Sequence, residues 1–478
     1  MLVDDRIMAA VDEMDVPREG SSSGHLDPKV WKVIAVVLLG PFMTQMDSTV
    51  VNVSLSTIRQ DLDASIAAAQ WIISGYLLAL ALMLPLNGWL EDRLGAKRLY
   101  LVCFSAFTLT SVLCGAAGTM DELICARVLQ GMAGGLLAPL TQMMLVRAAG
   151  KHMARAVGYA AVPILIAPTI GPIVAGGILK YAGWPWLFYI NLPVGILAVT
   201  LAAFLLPSDA GAIQKRPFDL LGFLTISPGL ACLLYGVEQA SRGEGTWILV
   251  SGVILLIAFI WHANRIKAKA LIDLELFSNK IFATAAITQF LSNGILYAGQ
   301  FLVPLYLRTG CGLTAEQVGW MLAPMGIGMM CLYPFMGVLT DRFGCRAVST
   351  GGIVLNVLGT IPFVYMTLDR MSPFWVIVSL VARGAGQGAT GIPTIAAAYS
   401  SVPKAKLGLA TTAMNIVQRL GGPIATTVIA ITVSLSAASL PISSPRAFLI
   451  PFAALIALQL LVLGSASRLP VRIHYNEP

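Results

Sequence analysis

Two stretches decide the fold: Gly88-Trp89-Leu90-Glu91-Asp92-Arg93-Leu94-Gly95-Ala96-Lys97-Arg98 and Gly337-Val338-Leu339-Thr340-Asp341-Arg342-Phe343-Gly344-Cys345-Arg346. Each sets a glycine, an Asp-Arg pair, a second glycine and further basic residues at one spacing, and each follows a long apolar run. The glycines Gly88 and Gly95 permit close approach and a tight turn. The carboxylate of Asp92 is suited to cap the next helix or to pair with a cation on a neighbouring one. The charges of Arg93, Lys97 and Arg98 suit anionic headgroups. A solvated charge cluster would explain one such loop. Two copies at matching places imply an internal repeat of about six spans, the pattern of a transporter whose two bundles enclose a central site.

Working outward, the chain is 478 residues long, 57% hydrophobic and 12% charged, with a mean hydropathy of +0.80. So little charge cannot cover a soluble domain of this size, and lipid must solvate much of the surface. A span needs about 20 mostly apolar residues, and only helices and closed barrels satisfy their backbone in hydrocarbon. The apolar runs lack period-2 alternation, which selects helices. Fourteen runs of spanning length lie near 31–52, 70–90, 99–119, 124–146, 156–179, 187–206, 219–237, 246–262, 281–306, 317–339, 347–368, 373–397, 408–435 and 446–466. The seventh is interrupted by Pro228 and Gly229.

The expected fold is therefore an all-α polytopic membrane protein: two six-helix bundles, 29–206 and 281–467, with two inserted helices and a linker at 207–280. Residues 1–28 form an acidic leader expected to be disordered, and 468–478 a short tail. Basic residues cluster at one set of span ends: Arg93, Lys97 and Arg98; Arg147, Lys151 and Arg155; Lys215 and Arg216; Arg265, Lys267 and Lys269. The opposite ends hold only Arg59, Lys180, Arg242, Arg308, Arg370 and Arg446. The bias places both termini in the cytoplasm and makes the number of spans even. The net charge of +7 is spent in these loops and does not form a nucleic-acid surface. Seven cysteines show no CxxC pair, and the four histidines fall in loops or tails, so no metal, disulfide framework or cofactor is expected.

Further segments give the repeat a family. The two loops resemble motif A of the major facilitator superfamily. Met46-Asp47-Ser48-Thr49-Val50-Val51-Asn52-Val53 resembles the first-helix signature of its fourteen-span drug:proton antiporter branch (EmrB/QacA-type), and Arg127-Val128-Leu129-Gln130-Gly131-Met132-Ala133-Gly134-Gly135 resembles motif B. Trp184-Pro185-Trp186-Leu187-Phe188-Tyr189-Ile190-Asn191-Leu192-Pro193-Val194-Gly195 resembles the start of that branch's sixth span. The antiporter motif of the fifth span is matched at Gly158, Gly171, Pro172 and Gly176, with Ala167 and Ala175 where the family has glycine. The resemblance covers residues 31–466 and implies proton-coupled export of small amphipathic or cationic compounds by alternating access. The alternative is one defined solute: an organic acid, a siderophore or a lipid-like metabolite. The resemblance makes Gly88, Asp92, Arg93, Gly95, Asp341 and Arg342 a gating motif.

Charge inside the spans carries the expected mechanism. An ionised aspartate at mid-bilayer costs on the order of 2.5–3.5 kcal/mol, so Asp47 needs a partner or a task. The resemblance makes Arg127 that partner, since it brings the first and fourth helices together. Three roles stay open for the aspartate: proton carrier, structural half of an ion pair, or direct binder of a cation. Arg383, which opens Arg383-Gly384-Ala385-Gly386-Gln387-Gly388, and Arg419 have no evident acid at their depth, and each could snorkel to the interface. Candidate cavity residues are Gln45, Trp71, Tyr76, Gln130, Gln289, Asn293, Tyr297 and Gln300. An intramembrane enzyme would need paired aspartates, a Ser–Lys or Ser–His pair or a His-rich site at this depth, and none is visible. Expected partners are the bilayer, protons and a small molecule, in a bacterial inner membrane. The outer loop 435–445 is short, which leaves a periplasmic adaptor open.

Overall fold

The computed structural model describes residues 28–208, 216–240 and 245–471. The acidic leader, through residue 27, lies outside them.

Fourteen long helices run through the described residues: α1 Val30–Asp61, α2 Ile66–Leu94, α3 Ala96–Ala116, α4 Met120–Ala149, α5 Met153–Tyr181, α6 Trp186–Leu205, α7 Leu220–Ala240, α8 Thr246–Ile266, α9 Lys280–Gly310, α10 Ala315–Phe343, α11 Cys345–Leu368, α12 Pro373–Ser400, α13 Leu407–Ala437 and α14 Pro445–Ala466. Twelve are both long and apolar enough to cross a membrane, and α5 and α12, of 29 and 28 residues, are long enough. Each coincides with one of the fourteen apolar runs.

Two boundaries differ from the sequence reading for a physical reason. Helix α1 continues nine residues past the apolar run, through Ser54, Arg59 and Asp61. Hydropathy measures only the part in hydrocarbon, whereas the helical ladder carries on into the aqueous phase. Helix α7 contains Pro228 without breaking. Its neighbour Gly229 is where α8 approaches, since a methyl there would stand 3.1 Å from Leu256.

Local chemistry sets the ends. Thr119 with Glu122, and Thr314 with Gln317, form capping boxes that start α4 and α10. The α2–α3 and α10–α11 junctions turn at Gly95 and Gly344, whose φ angles are 83° and 84°. Residues with a side chain rarely adopt that region, which explains why both loops carry glycine there.

The repeat is visible in the packing. In the first half α1 packs on α5, α2 on α4, and α3 on both α4 and α6; in the second, α9 packs on α13, α10 on α12, and α11 on both α12 and α14. Small residues let the helices approach: a methyl on Gly131 or Gly135 of α4 would run into the backbone of Tyr76 or Leu80 in α2. The halves meet through a related pair of contacts, α5 with α10 and α13 with α2. The inserted α7 lies against α2 and α13, with α8 packed on it. The linker after α8 is pinned to the start of α13 by Lys406, whose ammonium is 2.8 Å from Asp273. That hydrogen bond holds the Lys406 ammonium above its usual pKa.

Candidate functional site

In the first half, α1 and α4 bring an acid and a base together. The guanidinium of Arg127 is 2.6 Å from the Asp47 carboxylate, and both side chains are sealed from solvent. The carboxylate also accepts from Gln130 at 3.2 Å and from Asn191 of α6 at 3.0 Å. Arg127 donates further to the Gln130 side-chain oxygen at 2.7 Å and to the Ile72 carbonyl at 3.3 Å. Asn191 is held in turn by Ser111 of α3 at 2.9 Å. Five helices thus supply one polar knot, and nearly every polar atom in it has a partner. Such satisfaction is what allows charge to persist where an unpaired ion costs several kcal/mol.

Sequence reasoning named Asp47, Arg127 and Gln130, but left Asn191 as a motif residue without a role. The signal was present: an amide among Tyr189, Ile190 and Leu192 at the head of an apolar helix is exceptional unless it has a buried partner.

Between the halves lies a cavity of about 540 Å³. Of the candidate lining residues, Gln45, Tyr76, Gln289, Asn293 and Tyr297 are in its wall. Trp71, Gln130 and Gln300 are not: Trp71 stacks on Tyr235 of α7 at 5.9 Å, Gln130 belongs to the ion-pair knot, and Gln300 is exposed away from the cavity. The wall also includes Ser48, Gln142, Tyr333, Gln387, Gln418 and Arg419. Asp47 is absent from it and lies behind Tyr76, whose ring centroid is 4.1 Å from the Arg127 guanidinium carbon. Neither interior arginine of the second half snorkels. Arg383 is 1% exposed, and Arg419 reaches the cavity.

At the end bearing the two repeated loops the halves are locked. The oxygen of Gln142 accepts from Tyr399 at 3.1 Å and from Asn415 at 2.8 Å, a bridge across the cavity floor. Below it, Asp341 pairs with Arg155 of α5 at 2.8 Å, and a methyl on Gly158 would sit 2.7 Å from the Tyr333 carbonyl. A methyl on Gly88 would meet the Gly408 carbonyl of α13 at 3.3 Å.

The two loop copies are used unequally. Asp341 finds its cation on the opposing helix, whereas α13 has the chargeless Gly408 facing α2. The partner of Asp92 is Arg216, 3.3 Å away in the segment that leads into α7. The same segment accepts from the Trp89 indole at 3.2 Å, and Glu91 pairs with Arg147 at 2.8 Å. Arg93 lies over the Trp89 ring and Arg342 over Phe343.

The antiporter-motif positions separate by space. A methyl on Gly171 would stand 2.9 Å from Thr49 of α1, while Gly176 faces open space, and Pro172 is exposed. Ala167 and Ala175, where the family pattern has glycine, are fully buried, so their methyls are accommodated.

A paired acid and base beside a cavity between two repeated six-helix bundles defines a polytopic secondary-transporter fold. Residues 37–426 match the Major Facilitator Superfamily profile, and the chain belongs to that family. Among curated relatives, a protein called multidrug resistance protein B homolog from Mycobacterium tuberculosis is 34% identical over 87% of this chain and 78% of its own. A putative multidrug resistance protein, MdtD, from Escherichia coli is 32% identical over 72% of this chain and 73% of its own. Among solved structures, a double-tryptophan mutant of XylE superposes with a TM-score of 0.65 at 14% identity, covering 94% of this chain and 97% of that one. A bacterial homologue of the iron transporter ferroportin, in an outward-facing state, gives 0.62 at 14% identity over 91% and 98%. At such identity these likenesses bear on the fold alone.

Proposed function

We propose that this chain is a proton-coupled multidrug exporter, moving small amphipathic or cationic compounds by alternating access. The drug-efflux part is supported by relatives that share about a third of their residues over most of both chains. The coupling part rests on one observation, a fully buried Asp47–Arg127 pair one side chain away from the cavity. Asp47 is the proton carrier in this reading. As a carboxylate it holds Arg127, Gln130 and Asn191 together, so protonation would weaken all three contacts at once and free α1 to shift against α4 and α6. A proton gradient contributes about 1.4 kcal/mol per pH unit, and the membrane potential about 2.3 kcal/mol per charge per 100 mV.

The repeated loops, Gly88, Asp92, Arg93 and Gly95 with Asp341 and Arg342, act as the inner gate, and Gly158, Gly171, Pro172 and Gly176 as the seam on which α5 slides. The loop-bearing end faces the cytoplasm with both termini, in a bacterial inner membrane, and the working units are 29–206 and 281–467. The short segment joining α13 to α14 offers an adaptor protein little surface.

The test is substrate-triggered proton flux into liposomes carrying an internal pH dye, with a panel of lipophilic compounds. Flux lost in Asp47→Asn while binding is kept supports the assignment; flux retained in the variant removes Asp47 from the proton path.

A second reading, transport of one defined solute, draws on the amide-rich wall formed by Gln45, Gln142, Gln289, Asn293, Gln387 and Gln418. Such a wall can address the pattern of one polar molecule. A single active compound across a broad panel would favour it.

A further inference from the structure

The cavity carries a charge that the coupling machinery does not use. Arg419 of α13 is in its wall, and the described lining residues include no carboxylate. The Arg127 charge is balanced by Asp47, out of reach behind Tyr76. Arg419 has no ion-pair partner among the described residues. Neither has Arg383, one turn before the wall residue Gln387, and two of its nitrogens are buried without any hydrogen bond. The second half therefore sets one guanidinium in the cavity wall and buries another against Gly299 of α9, neither with a compensating acid among the described residues. Desolvated cations in that state are costly unless an anion joins them.

The surroundings of Arg419 specify more than charge. Tyr76 approaches from the first half and Tyr297 from the second, and Tyr297 is packed over Gly422, one turn along α13. Leu77, Leu80 and Leu296 supply apolar wall nearby. Arginine presents a planar fork that fits a carboxylate through two parallel hydrogen bonds, and tyrosine rings offer flat apolar faces with a polar tip. A volume of about 540 Å³ accommodates a molecule of one to three rings and falls short of a two-chain lipid.

We propose that the cavity selects amphipathic organic anions, aromatic acids above all, with Arg419 as the residue that binds the acid group. This deepens the export reading and rests on it, since it names the substrate class of the same cavity. Of amphipathic and cationic compounds, the wall favours the first, with an acidic head. A cation would meet Arg419 with no carboxylate to receive it.

The test uses three probes of one shape: 2-naphthylacetate, its uncharged amide, and naphthylmethyl-trimethylammonium. Binding is measured on the full chain in phosphatidylcholine nanodiscs, for wild type, Arg419→Lys and Arg419→Gln. The acid binds wild type about tenfold or more tighter than the amide, the margin expected of a charge-assisted hydrogen bond. Arg419→Gln abolishes that margin and leaves amide binding intact, so a misfolded variant cannot imitate the result; Arg419→Lys keeps part of it. A cation that binds best, an acid preference that survives in Arg419→Gln, or a set in which nothing binds overturns the proposal. So does an acid preference erased by adding phosphatidylglycerol to the discs, because the anion at Arg419 would then be a lipid headgroup. Proton flux in liposomes separates the two readings. Arg419-dependent acid binding without proton flux defeats the export reading alone, and proton-coupled transport of the cation defeats this inference alone.

Discussion

Tyr76 touches both working parts of the molecule: its ring packs 4.1 Å from the Arg127 guanidinium carbon on one side and forms cavity wall on the other. Whatever occupies the cavity therefore presses on the residue that covers the Asp47–Arg127 pair. Its hydroxyl has no hydrogen-bond partner in this conformation, so the ring, not the phenol, does the covering. Tyr76→Phe should retain coupled transport, while Tyr76→Ala should open the ion pair to cavity water and leak protons several-fold faster without substrate. Truncating a buried aromatic costs about 3–5 kcal/mol, so thermal unfolding of both variants must accompany the dye assay. Equal leak in both would shift the role from ring to hydroxyl.

The lock at the loop-bearing end predicts a pair of unequal mutants. The Arg155–Asp341 bridge crosses between the halves and is partly exposed, with 16% and 30% side-chain accessibility. Bridges of this kind are worth about 0.2–1 kcal/mol, so Asp341→Asn should shift the balance of conformations by about 1.4- to fivefold. Spin labels near the loop-bearing ends of α5 and α10 report that shift as a longer-distance population. The double exchange Arg155→Asp with Asp341→Arg should restore the wild-type distribution. Arg216→Gln, which releases Asp92 from the linker and not from the opposing bundle, should loosen α7 with a smaller effect on the α5–α10 distance.

Much of this was legible in sequence for identifiable reasons. Hydrocarbon demands long apolar runs, so all fourteen helices could be counted before the structure, and the repeated loops showed how the chain folds into halves. That Asp47 needs a partner was legible because a lone acid in an apolar helix must be compensated, and the family resemblance implied Arg127 as that partner. The cavity wall was not: Gln300 and Trp71 lie on lined helices but on other faces, and which face of a helix meets the cavity depends on tilt and rotation that period and composition do not encode. Arg216 as the partner of Asp92 was hidden too, because the sequence offered only a cation on some neighbouring helix, whereas the cation comes from the segment leading into α7. The cationic character of the cavity was not legible, because an arginine such as Arg419 can equally snorkel to the interface, and only its place in the wall shows where its charge lies.

If the substrate is a monoanion exported in exchange for one proton, both movements carry charge in the same sense across the membrane. Each cycle then transfers two charges, and each gains about 2.3 kcal/mol per 100 mV. Transport of 2-naphthylacetate in liposomes should accelerate under a potassium-diffusion potential, negative on the side facing the loop-bearing end, at constant pH. A monocation exchanged for one proton moves no net charge, so insensitivity to the potential would indicate cationic cargo or a different stoichiometry.

The glycines of α5 make a prediction about the conformation not seen here. Gly171 already touches α1, and a methyl there would stand 2.9 Å from Thr49; overpacking of that kind costs about 1–3 kcal/mol. Gly171→Ala should therefore lower the melting temperature in this conformation. Gly176 and Gly177, further along the same helix, face open space, as do Gly319 and Gly326 on α10. Glycine where nothing approaches wastes backbone entropy, and its use becomes physical if α5 and α10 close against each other at that end when the loop-bearing end opens. Gly176→Leu should then leave folding and substrate binding from the open side near wild type while blocking turnover, because the bulky side chain prevents closure. Unimpaired transport by Gly176→Leu would mean that this end of α5 never becomes an interface, and the rocking motion would have to pivot on other helices.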